Sequence, residues 1–305
     1  PAPEPVKRRD EVRSARLQYR QDSYTTDPKF KDNANVLSEV QASIDAVKEN
    51  KDLTITGIYV TGYASPEGTV PYNLKLSERR AKTFTDYVKK QNPNLDASLW
   101  HVDWKGEDWA GLREEVQKHP RLLKIDEVLA IIDGCEGDQD ACEEKIKALV
   151  PPTIYQRLLN EMYGPLRRND YRIEYNVRNF NLEEARQLIR TNPKLLSQNE
   201  MYQVAGSYPK DSKEYREAME IAARTYPDDP VALGNAAATC LAAKDARGAI
   251  ALLEGKKLDA AAMNTLGVAY AEVGEYQKAK STLEEAARAG NVDAKGNLKQ
   301  VIEQL

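Results

Sequence analysis

Arg79 and Arg80 are the side chains in this sequence whose type and position best suit the binding of a charged ligand. They follow residues 62–68, a segment with two glycines and a proline that predicts a turn. Before the turn, the apolar run at 54–60 predicts a strand. After it, apolar residues recur at helical spacing: Leu76, Phe84, Tyr87 and Val88. The loop at the strand end would then face the first turns of a helix, where backbone N–H groups and guanidinium groups converge on one ligand.

The same two arginines have a plainer interpretation, because charged helix residues are usually exposed to solvent. An ordered series of residues, directly after the turn, favours the binding interpretation. Its members are Asn73, Leu76, Ser77, Arg80, Ala81 and Phe84. The series resembles the motif Asn-x-x-Leu-Ser-x-x-Arg-Ala-x-x-Val of the peptidoglycan-associating domain of the OmpA-like family, and five of the six defined positions match. The resemblance implies the fold of that domain.

The resemblance also implies a ligand. In the OmpA-like family an Asp in the turn and the Arg of the motif hold the zwitterionic end of diaminopimelate in the cell-wall peptide, through charge-assisted hydrogen bonds. Arg80 occupies the Arg position, whereas Ser65 stands where the family has Asp. A serine hydroxyl accepts a hydrogen bond from an ammonium without neutralising it, and Glu67 could supply the charge from a longer side chain. The predicted residues that bind the peptidoglycan peptide are therefore Ser65, Glu67, Asn73 and Arg80.

Length, composition and charge predict a soluble protein of two domains. The chain has 305 residues, of which 41% are hydrophobic and 30% are charged. The net charge of −4 provides no basic surface for nucleic acid, and no stretch approaches the roughly 20 apolar residues of a membrane helix.

The chain starts Pro-Ala-Pro-Glu-Pro, without an initiator Met or a signal peptide. We therefore expect residues 1–14 to be a linker and upstream sequence to have been removed.

The three cysteines allow a limited prediction about redox chemistry. Cys135 and Cys142 lie in a polar loop and are close enough in sequence to form a small disulfide in an oxidising compartment, with two free thiols as the alternative. Two sulfur ligands with a distant third do not make a zinc site, so no metal is expected. Cys240 lies in an Ala-rich helical run and is expected to be a small buried side chain.

Residues 15–178 have the pattern of an α+β two-layer sandwich, with a mixed sheet, helices on one face and a helical insertion at about 107–164. Alternating apolar residues predict a first strand at Ala15, Leu17 and Tyr19, a third at Trp100, Val102 and Trp104, and a fourth at Tyr171, Ile173, Tyr175 and Val177. A helix before the second strand is predicted from the spacing of Leu37, Val40, Ile44 and Val47.

The segment before the fourth strand resembles the Arg-rich entry to the final strand of the OmpA-like family. Arg167, Arg168 and Arg172 are all candidates for the matching arginine.

Residues 179–305 are predicted to be an all-α repeat domain. Ala185, Ala218, Ala249 and Ala279 recur at offsets of 33, 31 and 30, a period typical of helical repeat arrays. The unit at 263–286 resembles a tetratricopeptide repeat, in which small residues let two antiparallel helices approach closely. The segment 292–305 is expected to be a capping helix, and arrays of this kind usually bind a peptide or a protein.

No pattern in the sequence predicts catalysis. The two histidines, His101 and His119, are not paired with a nucleophile motif. A phosphate-binding Gly-rich loop, a Gly-x-Ser-x-Gly elbow and a His-Glu-x-x-His motif are all missing from the sequence. We therefore expect no enzyme activity, no catalytic residue and no cofactor.

The combined prediction is a non-catalytic protein of the cell envelope. The resemblance implies a location in the periplasm of a diderm bacterium, at the outer membrane or the cell wall. The OmpA-like module would associate non-covalently with peptidoglycan, and the repeats would bind an unidentified envelope protein, with no nucleic-acid partner and no membrane span. The alternative, favoured by Ser65, is an envelope assembly scaffold whose OmpA-like pocket no longer binds peptidoglycan.

Overall fold

The structure is a computed structural model that describes residues 4, 6–20 and 23–305. The chain divides into two compact units. One is an α/β domain over Arg8–Val177, and the other is a helical domain over Arg178–Leu305 that also includes Lys7. The sequence predicts the junction after residue 178, one residue later than in the structure.

A four-stranded mixed sheet forms the centre of the α/β domain. Its strands are β1 (Lys7–Ala15), β2 (Leu53–Ala64), β3 (Trp100–Glu107) and β4 (Asn169–Val177), in the spatial order β1-β4-β2-β3. Strand β2 pairs in parallel with β3 and antiparallel with β4. The four apolar residues that predict β4 are all buried: Tyr171, Ile173, Tyr175 and Val177. Alternate residues of this central strand therefore form one side of the core.

Strand β1 lies earlier in the chain than the sequence predicts. The sequence predicts a strand from Ala15 to Tyr19 after a linker at 1–14, whereas β1 covers Lys7–Ala15. This strand is at the edge of the sheet, and only its first and last residues are buried. Because charged residues fill an edge strand that faces solvent, no apolar alternation is left to detect. Residues 1–3 and 5 of the predicted linker lie outside the described residues.

Two helices of the α/β domain contact strand β2, namely α1 (Asn33–Lys48) and α2 (Val70–Gln91). The residues whose spacing predicts α1 are all buried: Leu37, Val40, Ile44 and Val47. Helix α2 carries the residues that resemble the OmpA-like motif, so its position determines where Arg80 points.

Local interactions determine where α2 begins. Gly68 has a φ of 99°, a conformation that glycine adopts without strain. The Thr69 side chain accepts a hydrogen bond from the backbone N–H of Tyr72 at 3.4 Å and so caps the helix. Pro71 lies in the first turn, where a missing backbone N–H costs nothing. The turn predicted from glycine and proline thus leads directly into the helix.

Gly62 lets helix α2 approach strand β2 closely. A Cβ atom at position 62 would lie 2.5 Å from the backbone oxygen of Ser77 and 2.8 Å from the Cβ atom of Ala81. Both neighbours belong to α2, and one of the two contacts is to backbone, which cannot move aside as a flexible side chain would. Glycine is therefore required where the sheet meets the motif helix.

Replacing Gly62 by alanine is expected to lower the free energy of unfolding of the α/β domain by about 1–3 kcal/mol or more, because overpacking displaces α2. All three tryptophans lie between residues 100 and 109, so tryptophan fluorescence during denaturation reports on this domain. Gly137→Ala is the matched control, since no atom lies within 4 Å of a Cβ built there. Equal unfolding midpoints for the two variants would show that the stability of the domain does not depend on the close approach of α2 to β2 at Gly62.

A helical insertion with its own apolar core separates β3 from β4. It contains α3 (Trp109–Gln117), α4 (Ile125–Asp133), α5 (Gln139–Lys147), α6 (Thr153–Arg157) and a π-helical turn at Leu158–Met162. Its core includes Leu112, Val128, Ile146, Ile154 and Leu158. This segment corresponds to the insertion predicted at about 107–164.

A disulfide joins Cys135 and Cys142 within the insertion, with their Cα atoms 6.0 Å apart. Both cysteines are buried in the core of the insertion, and the bond connects the end of α4 to α5. Cys240 is buried and free. A covalent link of this kind reduces the conformational freedom of the unfolded chain.

The helical domain consists of consecutive short helices. They are α7 (Leu182–Thr191), α8 (Gln198–Gly206), α9 (Lys213–Thr225), α10 (Pro230–Ala242), α11 (Ala246–Leu253), α12 (Ala260–Glu272), α13 (Tyr276–Arg288) and α14 (Val292–Ile302). Helices α8, α10, α12 and α14 begin at residues 198, 230, 260 and 292, which gives spacings of 32, 30 and 32. The structure is thus a mixed sheet domain followed by a helical region with a regular repeat length.

The alanines that define the sequence period occupy equivalent buried places. Ala185, Ala218, Ala249 and Ala279 lie on α7, α9, α11 and α13, and each is at most 4% exposed. Gly267 on α12 faces α13, and a Cβ atom there would lie 2.6 Å from the Cγ atom of Leu283. Small residues therefore allow adjacent helices to pack closely, which is the property that the repeat pattern predicts.

Candidate functional site

A cavity of about 500 Å³ opens beside Arg80 in the α/β domain. Its lining residues are Arg16, Leu17, Gln18, Tyr19, Arg20, Lys31, Arg80, Gly164, Pro165 and Arg167. Five of these ten residues are cationic and none is acidic. The lining therefore favours an anionic ligand.

Arg80 makes no ion pair with any of the described residues, and the titratable groups that act on it are Tyr19, Tyr72 and Arg167. Its guanidinium lies over the ring of Tyr19, with the central carbon 4.3 Å from the ring centroid. The Nε atom is buried and has no hydrogen-bond partner. Burial lowers the pKa of Arg80, and the positive charge of Arg167 adds to that effect. A buried cationic donor without a partner is costly, and a ligand carboxylate would relieve that cost.

Tyr19 contributes a second unsatisfied group to the same cavity. Its hydroxyl is buried and makes no hydrogen bond of acceptable geometry, although Thr26 and Asn169 lie beside it. Burial raises the pKa of Tyr19 to about 12, so the hydroxyl stays protonated and can donate a hydrogen bond. The Oδ1 atom of Asn169 is also buried without a partner. Three unsatisfied polar atoms therefore lie in this part of the domain.

Ser65 and Glu67 contact Arg167 rather than Arg80. The Ser65 hydroxyl, in a residue that is 5% exposed, accepts a hydrogen bond from Arg167 Nε at 3.1 Å. The Glu67 carboxylate pairs with Arg167 Nη2 at 2.8 Å. Arg167 lines the cavity, whereas neither Ser65 nor Glu67 does. The structure thus connects the two turn residues to the cavity only through this arginine.

Asn73 stabilises the turn through hydrogen bonds of its side-chain amide. Its side-chain amide nitrogen donates to the backbone oxygen of Glu67 at 2.9 Å and to the carboxylate of Glu107 at 2.7 Å. The residue is only 2% exposed and does not line the cavity. Ser77 has a similar place, because its hydroxyl accepts a hydrogen bond from the backbone N–H of Gly106 at 3.1 Å. Both residues join α2 to the end of β3, which positions Arg80 without reaching the ligand space.

The structure distinguishes the three arginines that the sequence left as alternatives. Arg167 lines the cavity with Arg80. Arg168 pairs with Asp108 at 2.7 Å and with Asp170 at 3.0 Å, and Arg172 pairs with Glu174. Arg167 is therefore the arginine of this segment that can take part in ligand binding at the cavity.

Sequence reasoning missed most of the cavity lining. Arg16, Tyr19, Arg20 and Lys31 come from the segment after β1, where the sequence predicts a strand followed by a polar loop. Alternation gives no signal for this lining, because Leu17 and Tyr19 line the cavity together with Arg16, Gln18 and Arg20, on both sides of the chain.

Glu143 is a buried carboxyl group outside the cavity, on helix α5. Its carboxylate accepts a hydrogen bond from the Tyr155 hydroxyl at 2.9 Å, and Lys147 Nζ lies 4.0 Å away. Burial raises the pKa of Glu143 to about 7 and also raises the pKa of Glu107. The folded state therefore holds a proton on Glu143 at pH values where the unfolded chain has lost it.

Glu143→Gln is expected to stabilise the α/β domain at pH 8 by about 1–3 kcal/mol and to have little effect near pH 4.5. The Glu143 carboxyl has a pKa of 4.5 in the unfolded chain and of about 7 in the folded domain. Between these two pH values the folded domain holds a proton that the unfolded chain has lost, so folding becomes less favourable as the pH rises. Denaturant unfolding followed by tryptophan fluorescence at pH 4.5, 6 and 8 measures the difference. Glu144→Gln, on the exposed side of the same helix, is the control. Parallel stability profiles for wild type and Glu143→Gln would contradict the prediction.

Neither histidine lies at the cavity. His101 stacks on Tyr59 with ring centroids 4.6 Å apart, and His119 Nδ1 lies 2.8 Å from the backbone oxygen of Glu115. Over residues 6–20 and 23–305, no cluster of three His, Cys, Asp or Glu side chains has the geometry of a metal site. In the same part of the chain, none of the helices has the length and apolarity needed to span a bilayer.

Comparison with known proteins gives one short similarity. No protein-family model matches the chain. A curated protein, Outer membrane protein 41 from Porphyromonas gingivalis, is 46% identical to the chain over 50 residues. The match spans 16% of this chain and 12% of the relative, so most of the relative has no counterpart in the alignment.

Proposed function

We propose that this protein is a non-catalytic component of the envelope of a diderm bacterium. Its α/β domain associates non-covalently with peptidoglycan through Arg80, and its helical repeats bind a protein partner. The observation that supports the proposal most is a cationic donor, Arg80, that lies in a cavity without an acidic partner among the described residues. The short similarity to a protein named for the outer membrane supports the envelope location.

The peptidoglycan peptide has the chemistry that Arg80 needs. A planar guanidinium binds a carboxylate through two parallel hydrogen bonds, and partial burial strengthens that pairing because less water competes. The stacking of Arg80 on Tyr19 keeps the guanidinium in one orientation before the ligand arrives. Many ligands carry a carboxylate, and the resemblance of the residues around Arg80 to the OmpA-like motif favours the cell-wall peptide among them.

Sedimentation with insoluble peptidoglycan sacculi tests this function. The wild-type protein is expected to pellet with sacculi, and Arg80→Ala is expected to remain in the supernatant. Arg79→Ala is the matched control, because Arg79 is the neighbouring exposed arginine and does not line the cavity. Equal pelleting of wild type and Arg80→Ala, or no pelleting of either, would remove the proposal.

A scaffold without peptidoglycan binding is the second candidate, and Ser65 favours it. The Ser65 hydroxyl is buried and contacts Arg167, so nothing at this position neutralises a ligand ammonium. Ser65→Asp restores the charge found in the OmpA-like family. If wild type does not bind sacculi and Ser65→Asp does, the native protein is a scaffold, whereas binding by wild type alone excludes this alternative.

The helical repeats are the proposed binding surface for a protein partner. A cleft of about 430 Å³ on this domain is lined by residues of α12, α13 and α14, among them Glu272, Tyr276 and Asn297. A photo-crosslinking residue at position 272 should give a specific adduct in the native host, and one at exposed Lys295 should not. Identical patterns from both positions would contradict a role for this cleft.

A further inference from the structure

The cavity beside Arg80 carries more positive charge than the described residues of its domain neutralise. Arg20 pairs with Asp27 at 2.6 Å and Arg167 pairs with Glu67 at 2.8 Å. The other three cationic residues of the lining have no carboxylate partner among the described residues: Arg16, Lys31 and Arg80. Three uncompensated cations around one cavity create a positive potential that attracts ligands with more than one negative charge.

Two buried donors at the cavity make no hydrogen bond with any of the described residues. They are Arg80 Nε and the Tyr19 hydroxyl, and the two side chains are stacked on each other. Buried polar groups in proteins almost always have a hydrogen-bond partner. An oxyanion placed against Arg80 Nε would supply the acceptor that this donor lacks, whereas the Tyr19 hydroxyl also has the Oδ1 atom of Asn169 beside it.

We infer that the cavity prefers a ligand with two or more clustered anionic groups, phosphates or carboxylates, over a zwitterion in which ammonium groups balance the carboxylates. An ammonium would lie among several cations, with no acidic residue of the described lining to neutralise it. The volume of about 500 Å³ exceeds that of a single inorganic ion and falls in the usual range for ligand sites. This inference goes beyond the proposed function, because the cationic lining favours clustered anionic groups in any ligand, whether or not that ligand belongs to the cell wall.

Calorimetric titration of the full 305-residue chain with three probes tests the inference. The probes are pyrophosphate, tricarballylate and meso-diaminopimelate, which present clustered phosphates, clustered carboxylates and a zwitterion. Both polyanions are expected to bind at least about tenfold more tightly than meso-diaminopimelate in low salt, and more weakly as salt is added. The tighter of the two polyanions identifies the preferred anionic group.

Two variants separate a specific site from general surface charge. Arg80→Gln is expected to weaken polyanion binding by about tenfold or more, because it removes a charged donor. Arg79→Gln removes the same charge from an exposed position and is expected to leave the affinity within about twofold. Equal weakening by both variants, or no binding of either polyanion at millimolar concentration, would overturn the inference.

The outcomes for this inference and for the proposed function are distinguishable. If meso-diaminopimelate binds as tightly as the polyanions in an Arg80-dependent way, the inference is wrong and the peptidoglycan proposal gains support. If the polyanions bind as expected but the protein does not pellet with sacculi, the inference stands and the peptidoglycan proposal fails.

Discussion

Lys7→Ala is expected to lower the free energy of unfolding of the helical domain by about 3–5 kcal/mol, the typical cost of breaking a buried ion pair. Lys7 is 1% exposed, and its ammonium lies 2.8 Å from the Glu200 carboxylate. It also donates to the backbone oxygen of Leu195 at 3.0 Å and lies 4.1 Å from the ring centroid of Phe180. Removing the amine leaves a buried carboxylate without its counter-ion.

Glu200 makes the cost of that change dependent on pH. Burial alone would raise the pKa of Glu200, but hydrogen bonds from Lys7 and from the backbone N–H groups of Ser197 and Phe180 outweigh it and hold the pKa below its usual value. A carboxylate with a lowered pKa contributes stability above its unfolded value of 4.5, and that stability is lost as the pH falls through the folded pKa. The difference between wild type and Lys7→Ala should therefore shrink in acid.

Circular dichroism at 222 nm, together with tryptophan fluorescence for the α/β domain, measures the effect of Lys7→Ala. Arg8→Ala changes the neighbouring exposed residue and serves as the control. Adding Glu200→Gln to Lys7→Ala should cost less than Glu200→Gln does in the wild type, because the two residues are coupled. If Lys7→Ala unfolds at the same denaturant concentration as Arg8→Ala, Lys7 has no structural role.

Arg80→Ala is expected to weaken binding of a soluble peptidoglycan stem peptide by on the order of 2–5 kcal/mol, or roughly 30-fold and more. The size of the effect follows from the partial burial of Arg80, since the ligand carboxylate would be left at a partly buried site without a counter-ion. The Arg80 side chain stacks on Tyr19 and makes no ion pair within the described residues, so its loss should leave the fold intact. The affinity of each variant follows from calorimetric titration, with Arg79→Ala as the control. An affinity for Arg80→Ala within threefold of the control would contradict the role assigned to Arg80.

Sequence periodicity was enough to predict the elements whose buried faces are regular. Strand β4 and helix α1 follow the predicted alternation and helical spacing residue by residue, because tertiary burial in both cases acts on one face of the element. Ala218 and Ala249 mark the repeat for the same reason, since close helix packing demands small residues at one position per unit. In these segments local pattern and tertiary structure carry the same information.

The cavity and the buried ion pair were beyond prediction because they depend on contacts between distant segments. Tyr19 and Arg80 stack although they lie far apart in sequence, and Arg167 joins them from the far side of the insertion. Lys7 lies in a polar, Pro-rich segment that predicts a linker. Only its ion pair with Glu200 makes it part of a buried core. Pairing of the Glu67 carboxylate with Arg167 was likewise invisible in the motif, which indicates residue types but not their partners.

The central claim is that the Arg80 guanidinium itself binds a carboxylate of the peptidoglycan peptide. Nitrogen-15 NMR of arginine side chains tests it most directly, with the Nε–H signals of Arg80 and Arg79 assigned from Arg80→Lys and Arg79→Lys. On titration with a stem tripeptide that ends in meso-diaminopimelate, the account predicts a saturable shift of the Arg80 signal and an unchanged Arg79 signal. An Arg80 signal that stays in place while the peptide binds elsewhere, or while it fails to bind, would contradict the account.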